Sequence, residues 1–166
     1  MYLSLNLPAL ELENIKWHSD KIINKSSNPT LNVNGRLWYW ACAVEEKTTT
    51  QLHKIFPEEI IVNSRVLVQF LRSDGNDNPH KDSYPWTFMY ILDDAGGHTN
   101  LYNDNKNVIA SHNTAKGKWA LLRSWAWHSP AGIMKDKIRK ALVLRVKKDY
   151  DLNFLTNFSK EIKYVA

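Results

Sequence analysis

His80-Lys81-Asp82-Ser83-Tyr84-Pro85-Trp86-Thr87-Phe88-Met89-Tyr90-Ile91-Leu92-Asp93-Asp94-Ala95-Gly96-Gly97-His98-Thr99-Asn100-Leu101-Tyr102 is the stretch from which the fold is read. Thr87 to Leu92 is an apolar strand, Asp93 to Gly97 a tight turn with two glycines, and Thr99 to Tyr102 the next strand. Ser73 to Pro79 reads as a polar turn that leads into a further strand at His80. Working outward, Ser64 to Phe70 is a strand by its β-branched content. Val108 to His112, Trp119 to Arg123 and Lys140 to Val146 are strands as well. Arg36 to Val44 is a dense aromatic stretch with the character of a buried strand. Short strands separated by turn signals every 8–12 residues indicate an all-β sandwich or barrel.

The expected fold is therefore mainly β, with a jelly roll (double-stranded β-helix, cupin-like) as one such solution, whose cupin versions hold a metal inside. Thr48 to Phe56 reads as a short helix capped by threonines and ended before Pro57. Such an N-terminal helix would cover one sheet from outside. Residues 1–34 are mixed and turn-rich, with Ser26-Ser27-Asn28-Pro29 as a loop. No repeat or linker divides the 166 residues, so a single domain over 1–166 is expected, its motif-bearing core about 64–146.

Hydrophobic residues make up 43% of the chain, enough for a core without staples, and Cys42 as the only cysteine forbids an intrachain disulfide. No apolar run approaches the roughly 18 residues of a membrane span. Met1 to Asn14 contains Glu11 and Glu13 and lacks the basic start of a signal peptide. A cytoplasmic location is the expectation. The formal charge of +5 is spread along the chain; its densest part, Lys135 to Lys148, alternates with apolar residues. That favours acidic partners only weakly.

The chemistry concentrates in His80, Asp82 and His128. On a strand, residues at i and i+2 share a face, about 7 Å apart. A histidine and a carboxylate at that spacing, joined by a histidine from another strand, make a two-His-one-carboxylate facial triad. That set leaves three metal positions open and suits non-heme Fe(II). His128 follows the apolar, strand-like run Trp119 to Trp127, where an isolated histidine needs a partner. Arg139 lies eleven residues further on. On a strand it shares a face with Ala141, Val143 and Arg145, and an inward guanidinium is costly unless it meets an anion. The blander readings are a polar loop end at His80, a core histidine at 128 and an exposed edge strand at 139. His98 reads as a pocket-rim or surface residue, and His18, His53 and His112 as surface. Most tryptophans should be core; Tyr84 and Trp86, after Asp82, are the candidates to line a substrate entrance.

Taken in order, these pieces resemble the Fe(II)/2-oxoglutarate-dependent oxygenase superfamily, most of all its prolyl hydroxylase branch. The matching pieces are His80-Lys81-Asp82, Thr87 to Asp93, Gly96-Gly97-His98-Thr99, Gly117-Lys118-Trp119-Ala120-Leu121-Leu122, His128 and Arg139-Lys140-Ala141-Leu142. The resemblance implies Fe(II) bound by His80, Asp82 and His128, and 2-oxoglutarate anchored through its C5 carboxylate by Arg139. It places Thr99 in the cosubstrate pocket and Arg145 at its inner end. It implies an O2-dependent hydroxylation coupled to conversion of 2-oxoglutarate into succinate and carbon dioxide. Three departures stand out. Ile91 replaces a tyrosine frequent in that branch, Phe70 stands where a second pocket tyrosine can occur, and His98 replaces an acidic residue.

The first expectation is thus a hydroxylase of an amino-acid side chain, free or in a peptide, with proline the first candidate. The alternative enzyme is an AlkB-like nucleic-acid demethylase, since Arg139 and Arg145 form an Arg-x5-Arg pair like that family's carboxylate clamp. A base-flipping enzyme would also need a basic groove, which the sequence does not display. A non-catalytic jelly-roll binding module is a third reading, against which the intact triad argues. A cupin-type metal enzyme without 2-oxoglutarate is a fourth, against which Arg139 argues. The sequence leaves the oligomeric state open.

Overall fold

The computed structural model describes residues 1–11, 37–41, 46–72 and 78–161. The loop expected at Ser26–Pro29, the flanks of the aromatic stretch, His18 and most of the turn before His80 lie outside the described residues. Nine strands are described: β1 (Tyr2–Leu5), β2 (Leu37–Ala41), β3 (Ser64–Arg72), β4 (Trp86–Asp93), β5 (His98–Tyr102), β6 (Val108–His112), β7 (Trp119–Arg123), β8 (His128–Ala131) and β9 (Arg139–Val146). Three helices accompany them: α1 (Glu46–Ile55), α2 (Glu58–Val62) and α3 (Leu152–Glu161).

The strands form a six-stranded sheet in the order β1-β7-β4-β9-β3-β2 and a three-stranded sheet in the order β6-β5-β8. Every pairing is antiparallel. Chain neighbours β4 and β5 lie in different sheets, as do β7 and β8. The chain therefore crosses repeatedly between two facing sheets, as in a jelly roll wound as a double-stranded β-helix. The expected strand at His80 is reduced to a single bridge, His80 to His128. It still fills the position beside β8 that a fourth strand of the smaller sheet would take.

The alternation of β4 decides what each face does. All six residues from Trp86 to Ile91 are buried. Trp86, Phe88 and Tyr90 join one cluster with Leu52, Ile55, Phe56 and Ile60 of the α1–α2 region and Leu155 of α3. Met89 and Ile91 face the other way, into a cluster with Leu67, Leu101, Leu122, Ala141 and Val143 between the sheets. Helices thus cover the outside of the large sheet, as expected of the N-terminal helix. α3 adds a second cover from the C-terminal side. Phe56 is the keystone of this outer layer, edge-on to Phe88 at 4.9 Å, Trp119 at 5.2 Å and Phe158 at 5.4 Å. Among the described residues no helix is long and apolar enough to cross a membrane.

β9 lies between β4 and β3, not at an edge. Its odd positions, Arg139 to Arg145, therefore look between the sheets, while Leu142, Leu144 and Val146 pack under the helices. That placement turns the sequence periodicity of β9 into a cavity wall.

Candidate active site

Two backbone features bring the triad together. The amide of His80 donates to the carbonyl of His128, and that of His128 to the carbonyl of His80, both at 3.0 Å. This close antiparallel pair sets the imidazole rings side by side, with centroids 4.6 Å apart. The Asp82 amide donates to the Ser124 carbonyl at 2.9 Å, fixing the carboxylate on the same side. The strand β7 ends at Arg123 and a turn follows, so the run Trp119 to Trp127 is not one strand. That turn is what lets Ser124 reach Asp82.

One ligand-type atom from each of His80, Asp82 and His128 lies within 4.8 Å of the others. The Nε2 of His80 is 3.9 Å from Asp82 Oδ1, and that of His128 is 3.9 Å from Asp82 Oδ2. Each Nδ1 meets a carbonyl two residues back: His80 with Asn78 at 3.1 Å, His128 with Ala126 at 2.9 Å. A carbonyl only accepts, so each Nδ1 carries a proton, and each Nε2 is the ring nitrogen turned toward Asp82. Orientation of ligating imidazoles through the other ring nitrogen is a hallmark of metal sites. Two imidazoles and one carboxylate match the donor set for non-heme Fe(II). His128 is 5% exposed, and this burial, with the neighbouring His80 adding to it, lowers its pKa from 6.5 to about 4. It is neutral, as a ligand must be, at physiological pH.

The triad opens into a small cavity of about 40 Å³. Its wall includes Arg139, Arg145, Thr99, Thr87 and Met89. Arg139 is 4% exposed, and its Nη2 donates to the Thr99 hydroxyl at 3.4 Å. Thr99 is inward on β5, across from Pro130 of β8. Arg145 comes from the other end of β9, its Nη2 3.5 Å from Asp82 Oδ2 and its guanidinium 5.5 Å from the Tyr84 ring centroid. It stands at the triad, not at the far end of the pocket. Burial lowers its pKa, and the Asp82 charge opposes that shift. The described lining residues thus include two guanidiniums and one carboxylate, with Arg145 paired to Asp82.

Several expectations change. Trp86 does not line an entrance: it is 4% exposed under the helices, its indole donating to Asp149 and to the Tyr150 carbonyl. The bend over residues 83–85 breaks the alternation set by His80 and Asp82, so Trp86 falls on the outer face and Thr87 on the inner one. Tyr84, the other entrance candidate, lies beside Arg145. His112 is not a plain surface residue; its ring stacks on Tyr2 at 4.8 Å. His98 is half-buried on the face opposite Thr99, against Gly132, and outside the triad. His53 pairs with Glu58 at 2.8 Å, near the surface. Ile91 is fully buried in the inner cluster, offering no polar group where the resembling branch has its tyrosine. Thr87, not singled out in the sequence, lines the cavity and accepts a hydrogen bond from the buried Ser124 hydroxyl at 2.7 Å.

No protein-family model matches the chain. No curated protein matches it either. Among solved structures it is similar to hydroxypropylphosphonic acid epoxidase from S. wedmorenis, at 14% identity and TM-score 0.44 over 65% of this chain and 50% of that one. It is similar to procruciferin, an 11S globulin from Brassica napus, at 11% identity and TM-score 0.43 over 68% of this chain and 26% of that one. It is also similar to a prolyl hydroxylase in complex with a hypoxia inducible factor oxygen degradation domain peptide fragment, from Trichoplax adhaerens. That likeness has 21% identity and TM-score 0.42 over 68% of this chain and 63% of that one. The chain thus spans half or less of the first two proteins and under two thirds of the third. The fold rests on the strand order, and the site on its own geometry.

Proposed function

We propose that the chain is an Fe(II)- and 2-oxoglutarate-dependent dioxygenase that hydroxylates an amino-acid side chain, free or within a peptide. The observation that carries this reading is the convergence of two Nε2 atoms and a carboxylate on one cavity whose wall also holds the buried guanidinium of Arg139. His80, Asp82 and His128 would hold the iron. When bound, Fe(II) supplies activation of O2 and the oxidative conversion of 2-oxoglutarate into succinate and carbon dioxide.

The chain's own residues then have distinct tasks. Arg139 presents a planar fork of donors suited to a carboxylate. Thr99 accepts from that fork and so orients it. Arg145 holds one Asp82 oxygen and so orients the carboxylate that would help hold the iron. The apolar wall of Met89, Leu122 and Val143 keeps water away and strengthens each charge interaction inside.

One observation favours a second reading. Arg139 and Arg145 both line the cavity, as an Arg-x5-Arg clamp of an AlkB-like demethylase would. Substrate panels separate the two. Anaerobically iron-loaded protein should release succinate and consume O2 when given 2-oxoglutarate, even slowly without prime substrate. His128→Ala should abolish this, and Arg139→Ala should raise the 2-oxoglutarate concentration required. Turnover on peptides supports the first reading and turnover on methylated oligonucleotides the second. Succinate formation indifferent to both variants would sink the assignment.

A further inference from the structure

We propose that the outer side of the segments bearing the triad is a docking surface for an acidic stretch of the peptide substrate. Its carboxylate-binding groups are the ammoniums of Lys81 and Lys106, held over the ring of Trp127. The proposal rests on reading the cavity as a hydroxylase for peptidyl side chains. Lys81 stands between His80 and Asp82, and Trp127 immediately precedes His128. His80, Asp82 and His128 line the cavity, while Lys81 and Trp127 are on the other side of the same two segments, in contact with each other.

The Nζ atoms of Lys81 and Lys106 each lie 5.0 Å from the Trp127 ring centroid. Two like charges are therefore gathered within about 10 Å, with the indole face as their shared attraction. Lys106 is held there by a turn that is itself unusual. Its φ is 61°, a left-handed conformation disfavoured for a residue with a side chain. Asn103 clamps that turn, its carbonyl accepting from the Lys106 amide at 3.0 Å and its side chain from the Asn107 amide at 2.9 Å. Both lysines are exposed. In residues 78–84, 102–108 and 123–128 the carboxylates are Asp82, which faces the cavity, and Asp104. Two ammoniums gathered over one ring, one of them held by a left-handed turn, stand beside the triad and suit an anionic partner.

The aromatic rings decide which anion. A nucleic-acid surface uses open aromatic faces on which bases stack. Trp127 is faced by the two lysines, and Trp125 by the Arg123 guanidinium at 5.1 Å, itself paired with Asp149. These rings position cations instead. Acidic side chains two apart on an extended peptide lie about 7 Å from each other, a spacing the two ammoniums can engage together.

The test is fluorescence anisotropy of a labelled oligo-glutamate peptide against the full chain without metal, at low and high salt. Binding should be salt-sensitive and weaken about tenfold or more in Lys81→Gln/Lys106→Gln. It should persist in His128→Ala, and the lysine variant should melt at the wild-type temperature. Peptide binding that survives when succinate formation fails upholds the surface while sinking the oxygenase reading. No binding by wild type, or equal binding by the lysine variant, overturns the proposal. So does an oligothymidylate that binds more tightly than the peptide through the same two lysines, which would make this a nucleic-acid surface.

Discussion

Arg139 spends its charge in a place where water cannot solvate it. A guanidinium 4% exposed is tolerated only where its donors are met, and the 3.4 Å bond to Thr99 shows which way the fork points. Lysine there would keep the charge and lose the fork. Loss of the side chain in Arg139→Ala is expected to cost on the order of 2–5 kcal/mol of 2-oxoglutarate affinity. Arg139→Lys should recover only part of it. Calorimetric titration of 2-oxoglutarate into metal-loaded protein checks this, and equal affinity in all three would contradict the assignment. His128 gives a pH prediction. The unfolded chain takes up this proton near 6.5 and the folded one near 4. The folded-state pKa is depressed, so below 6.5 the unfolded state binds more protons. Stability of the metal-free protein should therefore fall as pH drops from 6.5 toward 4, by up to about 3 kcal/mol. Melting at pH 7, 6 and 5 reads this out; wild type should lose more than His128→Asn, and parallel losses would refute the linkage.

At this same scale the sequence was informative where geometry is local. His80 and Asp82 share a face because i and i+2 do so even without a full strand, and His80 makes a single bridge. Trp86 was misplaced because β4 is apolar on both faces. With Trp86 to Ile91 all buried, burial does not mark which parity faces the cavity. Only the register with Arg145 and Leu122 reveals Thr87 as the inner residue.

Among the elements, the strands with strong composition were legible and those dependent on distant partners were not. β1 is four residues long and exists through its pairing with β7, more than a hundred residues away. β8 contains Pro130, which reads as a break, yet it pairs with β5 and carries His128. α3 has two asparagines and a threonine, poor helix formers. It is held by Leu155 and Phe158 against the outer cluster. That layer also supports the site, because β4 and β9 present one face to the helices and the other to the cavity. Phe56→Ala, removing the ring that joins α1 to Phe88, Trp119 and Phe158, should cost about 3–5 kcal/mol. Urea unfolding measures it; a loss below about 1 kcal/mol would show that the outer layer does not depend on this ring.

For the whole molecule, the triad joins two residues that precede β4 to one on β8, so a bound ion would tie the smaller sheet to the segment leading into the larger one. Anything that binds the folded state alone stabilises it. At a free Fe(II) concentration a thousand times the dissociation constant, the gain is about 4 kcal/mol, or roughly 10 °C in melting temperature for a chain of this size. Asp82→Ala should lose that gain, and Lys116→Ala, an exposed residue away from the cavity, should keep it. The all-β class, with a jelly roll as one solution, could be anticipated from strand spacing. The cover provided by α3 and the Arg145–Asp82 contact could not, because both are set by packing between residues far apart in sequence.

The most direct measurement is an anaerobic equilibrium titration of Fe(II) into the chain, followed by 2-oxoglutarate, for wild type and for His80→Ala, Asp82→Ala and His128→Ala. The account predicts one iron per chain in wild type, 2-oxoglutarate binding that requires it, and loss of both in each variant. Iron binding that survives all three substitutions, or 2-oxoglutarate binding indifferent to the metal, would contradict it.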